Sequence, residues 1–241
     1  LEQDVSDMVW SIFGTAIHGV LEHGKDDNHI VEERLHAEVG GWNISGAVDL
    51  QIVTGENVIS IRDYKTTSAW AVMNEKIEWE QQLNIYAWLV ERNKRVVVDS
   101  LGIVAIIRDW SRRDAAKNED YPQAPVKELP IKLWPYKERE EFIESRLVAH
   151  AEAEFALDAD EALPDCTPSE MWEKPSIWAV RKVGNVRAKS LHNTEEEANA
   201  ALEAAGKGFE IEYRPGERTR CASFCPVSNW CQQWRNFQEQ Q

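Results

Sequence analysis

The sequence has 241 residues, of which 43% are hydrophobic, and its formal net charge is −15. The hydrophobic fraction is large enough for a folded core and excludes a disordered chain, and no apolar run reaches the ~18 residues of a membrane-spanning helix. The acidic balance excludes a protein that coats nucleic acid non-specifically, because phosphate binding relies on lysine and arginine.

The first predicted element is a helix from Asp4 to Glu22, because its apolar residues recur at helical spacing. Gly24 is the expected stop. Gly14, His18 and Glu22 lie four residues apart, so they share one stripe beside the apolar face. The segment is amphipathic and carries acids, which argues against a secretory signal.

Strands are predicted next. One lies in VEERLHAEV (31–39), where apolar residues alternate, and two more flank the turn TGEN (54–57) as a hairpin. The remaining predicted elements of this part are a helix over Asn74 to Lys94, a strand within 95–110 with a candidate break at Ser100, a strand in KELPIKLW (127–134), and a helix from Pro135 to about Leu157. This order predicts an α/β or α+β fold with a mixed central sheet flanked by helices.

The composition changes after Asp158, where the pattern predicts strand, strand, helix and strand. This small ββαβ module lies between Cys166 and Cys221. Its two ends must therefore return close together if the cysteines act as one site.

Three basic clusters interrupt the acidic chain: RNKR (92–95), RDWSRR (108–113) and RKVGNVRAK (181–189). A solvated face is the simplest interpretation of each cluster. Contact with phosphates is the alternative, and it remains open for a chain of this net charge.

Two carboxylates and a lysine are concentrated in the predicted hairpin. Asp63 and Lys65 lie two residues apart and point to one face, and Asp49 on the neighbouring strand can face the same side. Converging carboxylates bind a hard divalent cation such as Mg²⁺, and a lysine beside it can orient or deprotonate the attacking water. Ordinary surface acids are the alternative, because the same pattern arises by chance.

Gln82 and Tyr86 lie four residues apart on the following helix and point one way. Taken alone, this pair is more typical of core packing. His18 taken alone is likewise more often a packed core histidine than a ligand. Imidazole can nonetheless complete a carboxylate site, especially for Mn²⁺.

Four motifs follow one another along the chain: G-x-x-x-H-x-x-x-E from Gly14, G-x-x-D from Gly46, D-Y-K-T from Asp63 and Q-x-x-x-Y from Gln82. This set resembles the PD-(D/E)XK nuclease superfamily, and more narrowly its RecB/AddB-like branch, which includes CRISPR-associated RecB-like exonucleases and many phage exonucleases. The resemblance implies a restriction-endonuclease-like nuclease core over 1–160, then the ββαβ insert over 161–220 and a Cys-rich segment over 221–241.

The resemblance also implies roles for individual residues. It implies a Mg²⁺ or Mn²⁺ site formed by His18, Asp49, Asp63 and the backbone carbonyl of Tyr64. It implies a catalytic group in which the two aspartates act with Lys65, Gln82 and Tyr86, the last two lining the active site and the DNA path.

A second site is predicted from four cysteines, Cys166, Cys221, Cys225 and Cys231. Without a secretory signal, a metal or cluster site is favoured over disulfides. The ending C-P-x-x-x-x-C, from Cys225 to Cys231, resembles the iron–sulfur motif of several members of this branch. Two features depart from it: three residues rather than two separate Cys221 from Cys225, and Cys166 follows the nuclease core instead of preceding it. We expect a [4Fe–4S] cluster, with a Cys₄ zinc site and four unrelated thiols as alternatives.

The expected function is a divalent-metal-dependent DNA exonuclease. The resemblance implies that it acts on DNA ends or single-stranded segments, away from membranes, in the cytoplasm of a bacterial or phage-infected cell, with a recombination or single-strand-binding protein as partner. An endonuclease of the same superfamily and a weak or inactive DNA-binding relative are the alternatives. A small-molecule metallohydrolase is disfavoured, because the sequence has neither a metalloprotease helix motif nor a histidine cluster.

Overall fold

The computed structural model describes residues 4, 8–24, 26–74, 76–159 and 161–240. The chain divides into two compact units, one over Glu2–Asp158 and one over Ala159–Gln241. Among the described residues, no helix combines the length and the apolar character needed to cross a membrane.

The N-terminal unit is built around one five-stranded sheet. Its elements are α1 (Val9–Leu21), β1 (His29–Val39), β2 (Trp42–Gly55), β3 (Val58–Thr67), α2 (Ala69–Met73), α3 (Ile77–Lys94), β4 (Val97–Ile107), α4 (Arg112–Ala115), β5 (Val126–Ile131) and α5 (Tyr136–Asp158). The strand order is β1-β2-β3-β4-β5. β3 and β4 pair in parallel and the other neighbours pair antiparallel, so the predicted mixed sheet is confirmed.

The core of this unit lies between the sheet and α3, the helix that connects the two parallel strands. Leu83 and Ala87 of α3 are fully buried, as are Val48, Ile61 and Ile103 of the sheet. Each large apolar side chain buried in this way contributes about 1.5–3 kcal/mol. This packing fixes α3 across the sheet and so determines where its polar residues lie.

The structure differs from the sequence predictions at α1. The helix begins at Val9 rather than Asp4, although residues 5–7 lie outside the described part. None of its described residues is buried, and Val9, Ile12 and Val20 are at least half exposed. Helical periodicity correctly indicates the element, but it does not show how much of the apolar face packs on the sheet.

The candidate break at Ser100 is a β-bulge within a continuous strand. Ile59 pairs with Val98 and Ser60 pairs with Ser100, which leaves Asp99 as the extra residue of β4. The Asp99 carboxylate accepts a hydrogen bond from Oγ of Ser60 at 2.7 Å, which holds the bulge in place.

The C-terminal unit contains β6 (Glu173–Lys174), β7 (Ile177–Lys182), β8 (Ala188–His192), α6 (Glu195–Ala205), β9 (Phe209–Arg214), β10 (Glu217–Arg218), α7 (Thr219–Ser223), a 3₁₀ helix (Ser228–Trp230) and α8 (Gln232–Glu239). β8, β7 and β9 form an antiparallel sheet in that order, and α6 completes the strand-strand-helix-strand module. One compact unit includes both this module and the Cys-rich segment. The division into three parts stays a prediction.

Candidate active site

The pairing of β2 with β3 stops at the two aspartates. Leu50 pairs with Arg62, and the next residue on each strand is Asp49 and Asp63. Beyond this point the backbone N–H of Tyr64 donates to Oδ2 of Asp49 at 2.8 Å. The hairpin therefore opens at the aspartates and places two carboxylates opposite each other, both more than nine-tenths buried.

His18 reaches these carboxylates from α1. Its Nδ1 lies 3.6 Å from Oδ2 of Asp49, and its Nε2 lies 3.0 Å from the backbone oxygen of Tyr64. The helix can come this close because of Gly14, one turn earlier, where a Cβ would lie only 3.3 Å from Oγ1 of Thr66. The glycine of G-x-x-x-H thus allows the close contact between α1 and β3 that positions the histidine.

Glu32 is a site residue that the sequence pattern does not reveal. Its neighbours on β1 pair with Leu50 and Val48, so Glu32 lies opposite Asp49. Its Oε1 is 3.5 Å from Nδ1 of His18, and the three side chains offer ligand atoms that all lie within 4.8 Å of one another. VEERLHAEV contains three acids, and only the strand register distinguishes this one.

Glu32 also has an unusual backbone. Its φ of 48° lies in the left-handed region, which few non-glycine residues occupy. Such a conformation costs on the order of 1–3 kcal/mol and is typical of functional sites. The strain accompanies the placement of this carboxylate next to Asp49.

Lys65 forms an ion pair with Asp63, with Nζ 2.7 Å from Oδ2. Asp63 is 1% exposed, and that oxygen has no partner with hydrogen-bond geometry in the part of the chain that the structure describes. Burial raises the pKa of Asp63, and the positive charge of Lys65 opposes this shift. Lys65 is therefore held against the carboxylate, inside the opening of the hairpin.

The carboxylates of the site carry more negative charge than its positively charged side chains neutralise. Burial, followed by the negative charge of Asp63, raises the pKa of Asp49 to about 6, although the Tyr64 N–H and His18 lower it. Like charges directly opposite on paired strands destabilise each other. A bound cation would remove this repulsion and let both aspartates ionise.

The donor set fits a divalent ion. Carboxylates with one imidazole are ligands that suit Mg²⁺ and Mn²⁺. The ring nitrogen of His18 that faces Asp49 and Glu32 is Nδ1, while Nε2 is within hydrogen-bond distance of the backbone oxygen of Tyr64, at 3.0 Å.

Gln82 and Tyr86 form a pair on α3, in which Nε2 of Gln82 donates to the Tyr86 hydroxyl at 2.7 Å. A Cβ on Gly46 would lie 2.8 Å from Cε1 of Tyr86, so the glycine of G-x-x-D makes room for the ring. Burial raises the pKa of Tyr86, as do the charges of the two aspartates. Both residues border a cavity of about 430 Å³, which is lined by Ile44, Ser45, Glu78, Gln81, Gln82, Ile85, Tyr86, Phe142, Arg146 and His150.

The four cysteines are neighbours within the C-terminal unit. Burial raises the pKa of the Cys166 thiol, and the charges of Glu170, Cys231 and Cys225 add to this shift. Burial also raises the pKa of Cys221, with contributions from the other three thiols. Two hydrogen bonds join the backbone of Cys166 to the Gln233 side chain, at 3.0 and 2.9 Å.

The spacing of the thiols bears on what they could hold. A tetrahedral zinc ion with bonds of about 2.3 Å keeps its sulfur ligands about 3.8 Å apart. Among the described residues, no three of these sulfur atoms all lie within 4.8 Å of one another. The four thiols are thus near one another, but more widely spaced than a closed zinc site.

Two solved structures resemble parts of the chain. SSO0001 is 20% identical, with a TM-score of 0.40, and the alignment covers 57% of this chain and 60% of that one. A candidate exonuclease from Eubacterium rectale is 13% identical, with a TM-score of 0.38, and the alignment covers 58% of this chain and 48% of that one. No curated protein matches the chain significantly.

The family model of the PD-(D/E)XK nuclease superfamily matches residues 21–232. This span starts after His18 and includes the carboxylates, the lysine and the Q-x-x-x-Y pair. It covers well over half of the sequence, and the mixed five-stranded sheet has the architecture expected of the family. The chain belongs to the PD-(D/E)XK nuclease superfamily.

Proposed function

We propose that this protein is a divalent-metal-dependent deoxyribonuclease that degrades DNA from its ends. The observation that supports this proposal most strongly is the opening of the hairpin, where Asp49, Asp63 and Lys65 lie together within reach of His18. The buried carboxylates are suited to a cation, and the lysine places a positive charge where a phosphate would lie against that cation.

The proposed metal ligands are His18, Asp49, Asp63 and the backbone carbonyl of Tyr64, with Glu32 as an additional ligand. A divalent ion bound there would polarise the phosphoryl group and activate water. Lys65 would stabilise negative charge that develops on the scissile phosphate, and Asp63 holds its ammonium group in position.

Gln82 and Tyr86 support the assignment to the RecB/AddB-like branch. The amide nitrogen of Gln82 donates to the tyrosine hydroxyl, and the amide oxygen of Gln82 would be available to contact a DNA strand. Tyr86, packed on Gly46, borders the adjoining cavity and would support the DNA strand there. A strand terminus is the substrate that we propose for this arrangement.

The four cysteines are proposed to hold a [4Fe–4S] cluster that ties the two ends of the ββαβ module together. Thiolate-only ligation suits such a cluster. Its role would be structural. The hydrogen bonds between Gln233 and Cys166 hold the same two chain segments together.

We propose phage or bacterial DNA recombination or repair as the setting, in the cytoplasm, with a recombination or single-strand-binding protein as partner. An acidic chain has little long-range attraction for intact duplex DNA. This charge favours a protein that captures ends or single-stranded segments.

The test compares linear and covalently closed circular duplexes of one sequence, each incubated with Mg²⁺ or Mn²⁺. Degradation of the linear DNA with little loss of the circle is the expected result, and Lys65→Ala serves as the inactive control. Equal rates on both substrates would identify an endonuclease. Binding without cleavage of either DNA would support the inactive relative.

A further inference from the structure

One end of the ββαβ module carries a concentration of positive charge. Lys182, Arg187 and Lys189 lie on or beside the β7–β8 turn, and Lys207 lies in the loop between α6 and β9. The N–H of Val183 donates to the oxygen of Gly208 at 2.9 Å, so the turn and the loop are adjacent. We call Lys182, Arg187, Lys189 and Lys207 the basic end.

The charge of the basic end is not neutralised by the module itself. Two arginines on the strands, Arg181 of β7 and Arg214 of β9, are paired with Glu210 and Glu212 at distances of 2.9–3.4 Å. Among the described residues, the four cations of the basic end have no carboxylate partner. Each of the four is exposed.

Two arginine side chains from the strands hold the backbone of the turn. Arg181 donates to the oxygen of Asn185 at 2.8 Å, and Arg214 donates to the oxygen of Val186 at 3.3 Å. Gly184 has a φ of 83°, which permits the tight reversal. These two hydrogen bonds therefore fix the backbone of the turn. Of the nearby cations, Lys189 lies over the ring of Phe209, with Nζ 4.8 Å from the ring centroid.

Two apolar side chains accompany these cations. Val183 is 59% exposed and Val186 is 89% exposed. Single exposed valines are unremarkable on a surface, but here they lie at the tip of a hairpin flanked by lysine and arginine. DNA-binding proteins contact the phosphates with basic side chains, and minor-groove binders often insert apolar side chains as well.

We propose that the basic end binds the phosphate backbone of duplex DNA and holds the substrate at a site outside the active site. The partner is identified by charge complementarity: a protein of net charge −15 presents here a cluster of exposed cations on a turn whose backbone is held by two arginines. The inference rests on DNA as the substrate of the proposed nuclease. It assigns a role to RKVGNVRAK that neither the metal site nor the cysteines explain.

The experiment measures binding without cleavage. Full-length protein is titrated in EDTA into a short fluorescein-labelled DNA duplex, and anisotropy is recorded at several salt concentrations. The test variant is Lys182→Ala/Arg187→Ala/Lys207→Ala. The matched control is Lys182→Arg/Arg187→Lys/Lys207→Arg, which keeps every charge at the same positions.

The alanine variant should bind about tenfold or more weakly at moderate salt, because it loses phosphate contacts. Each lost contact should also reduce the slope of log affinity against log salt concentration by about 0.9. The control should bind as the parent does. Equal affinity and slope in all three proteins would overturn the inference, provided that their thermal unfolding is unchanged.

The two proposals fail in different ways. If the parent protein binds DNA through the basic end but cleaves nothing, the proposed nuclease function fails and the binding surface remains. If the parent cleaves DNA and the alanine variant binds as tightly as the parent, only the binding surface fails. Cleavage of a short single-stranded oligonucleotide by the alanine variant should remain at the parent rate, since the active-site residues are unchanged.

Discussion

Gly46 and Tyr86 are in direct contact: a Cβ on the glycine would lie 2.8 Å from Cε1 and 3.0 Å from Cδ1 of the ring. Gly46→Ala should therefore displace Tyr86 and its partner Gln82, at an overpacking cost of about 1–3 kcal/mol. Thermal unfolding and cleavage rates check this prediction. Gly55→Ala on the same strand is the control, because a Cβ there meets its nearest neighbour at an ordinary 3.7 Å. Similar losses in both variants would refute the specific role of Gly46.

Lys65→Ala should reduce cleavage by about 10²-fold or more, since it removes a positive charge beside the scissile phosphate. The substitution removes no proposed metal ligand, so Mn²⁺ titration should still show binding. Single-turnover cleavage and calorimetry provide the two measurements. A variant that retains activity within a few-fold of the parent contradicts the catalytic role.

Glu32→Gln should weaken Mn²⁺ binding, because it removes one of three acidic groups at the proposed metal site. Glu33→Gln is the matched control: the adjacent glutamate forms an ion pair with Lys94 and accepts a hydrogen bond from Gln51. Calorimetric titration of both variants, with Asp49→Asn as a positive control, separates the two glutamates. The same Mn²⁺ affinity in Glu32→Gln and the parent would remove Glu32 from the ligand set.

The contribution of Asp49 to the stability of the metal-free protein should fall as pH rises from about 4 to about 7. Burial raises the pKa of Asp49 to about 6 in the folded protein, against an unfolded value near 4. The folded state therefore binds more protons in this window, and its free energy of unfolding decreases with pH. Denaturant unfolding in EDTA at several pH values measures the slope. Asp49→Asn should flatten it, and an unchanged slope in that variant would contradict the assignment.

Replacing any one of the four cysteines with serine should remove the bound iron, or zinc, and lower the melting temperature of the C-terminal unit. Cys166→Ser is the most informative variant, because this cysteine is the most distant from the others in sequence. Gln233→Ala is its counterpart: it removes both hydrogen bonds to the Cys166 backbone and leaves the thiol in place. Metal analysis should show loss in the first variant only. Unchanged metal content in Cys166→Ser would exclude it from the site.

The sequence predicts the sheet and the positions of Asp49, Asp63 and Lys65 because these features follow from local patterns. Alternation gives the strands, and a spacing of two residues puts Asp63 and Lys65 on one face. Glu32 could not be selected in the same way. Its proximity to Asp49 depends on the register of β1 with β2 and on a left-handed backbone at a glutamate, neither of which has a local signature.

Hydrophobic periodicity does not predict the short helices α2 and α4 either, because four or five residues are too few to show the repeat that identifies a helix. The roles of Gly14 and Gly46 are visible only in three dimensions. Each glycine marks a close approach, one to Thr66 and the other to Tyr86, between segments that are far apart in sequence.

The turn between β2 and β3 consists of Glu56 and Asn57, with Asn57 in the left-handed conformation that such short turns use. Closing so short a loop costs little chain entropy, and hairpins form in about 1–10 μs. We therefore expect Asp49 and Asp63 to meet early in folding, before the longer connection through α3 brings β4 alongside β3. Their mutual repulsion should then act while most of the chain is still unfolded, and should affect the rate of folding as well as the stability of the folded protein.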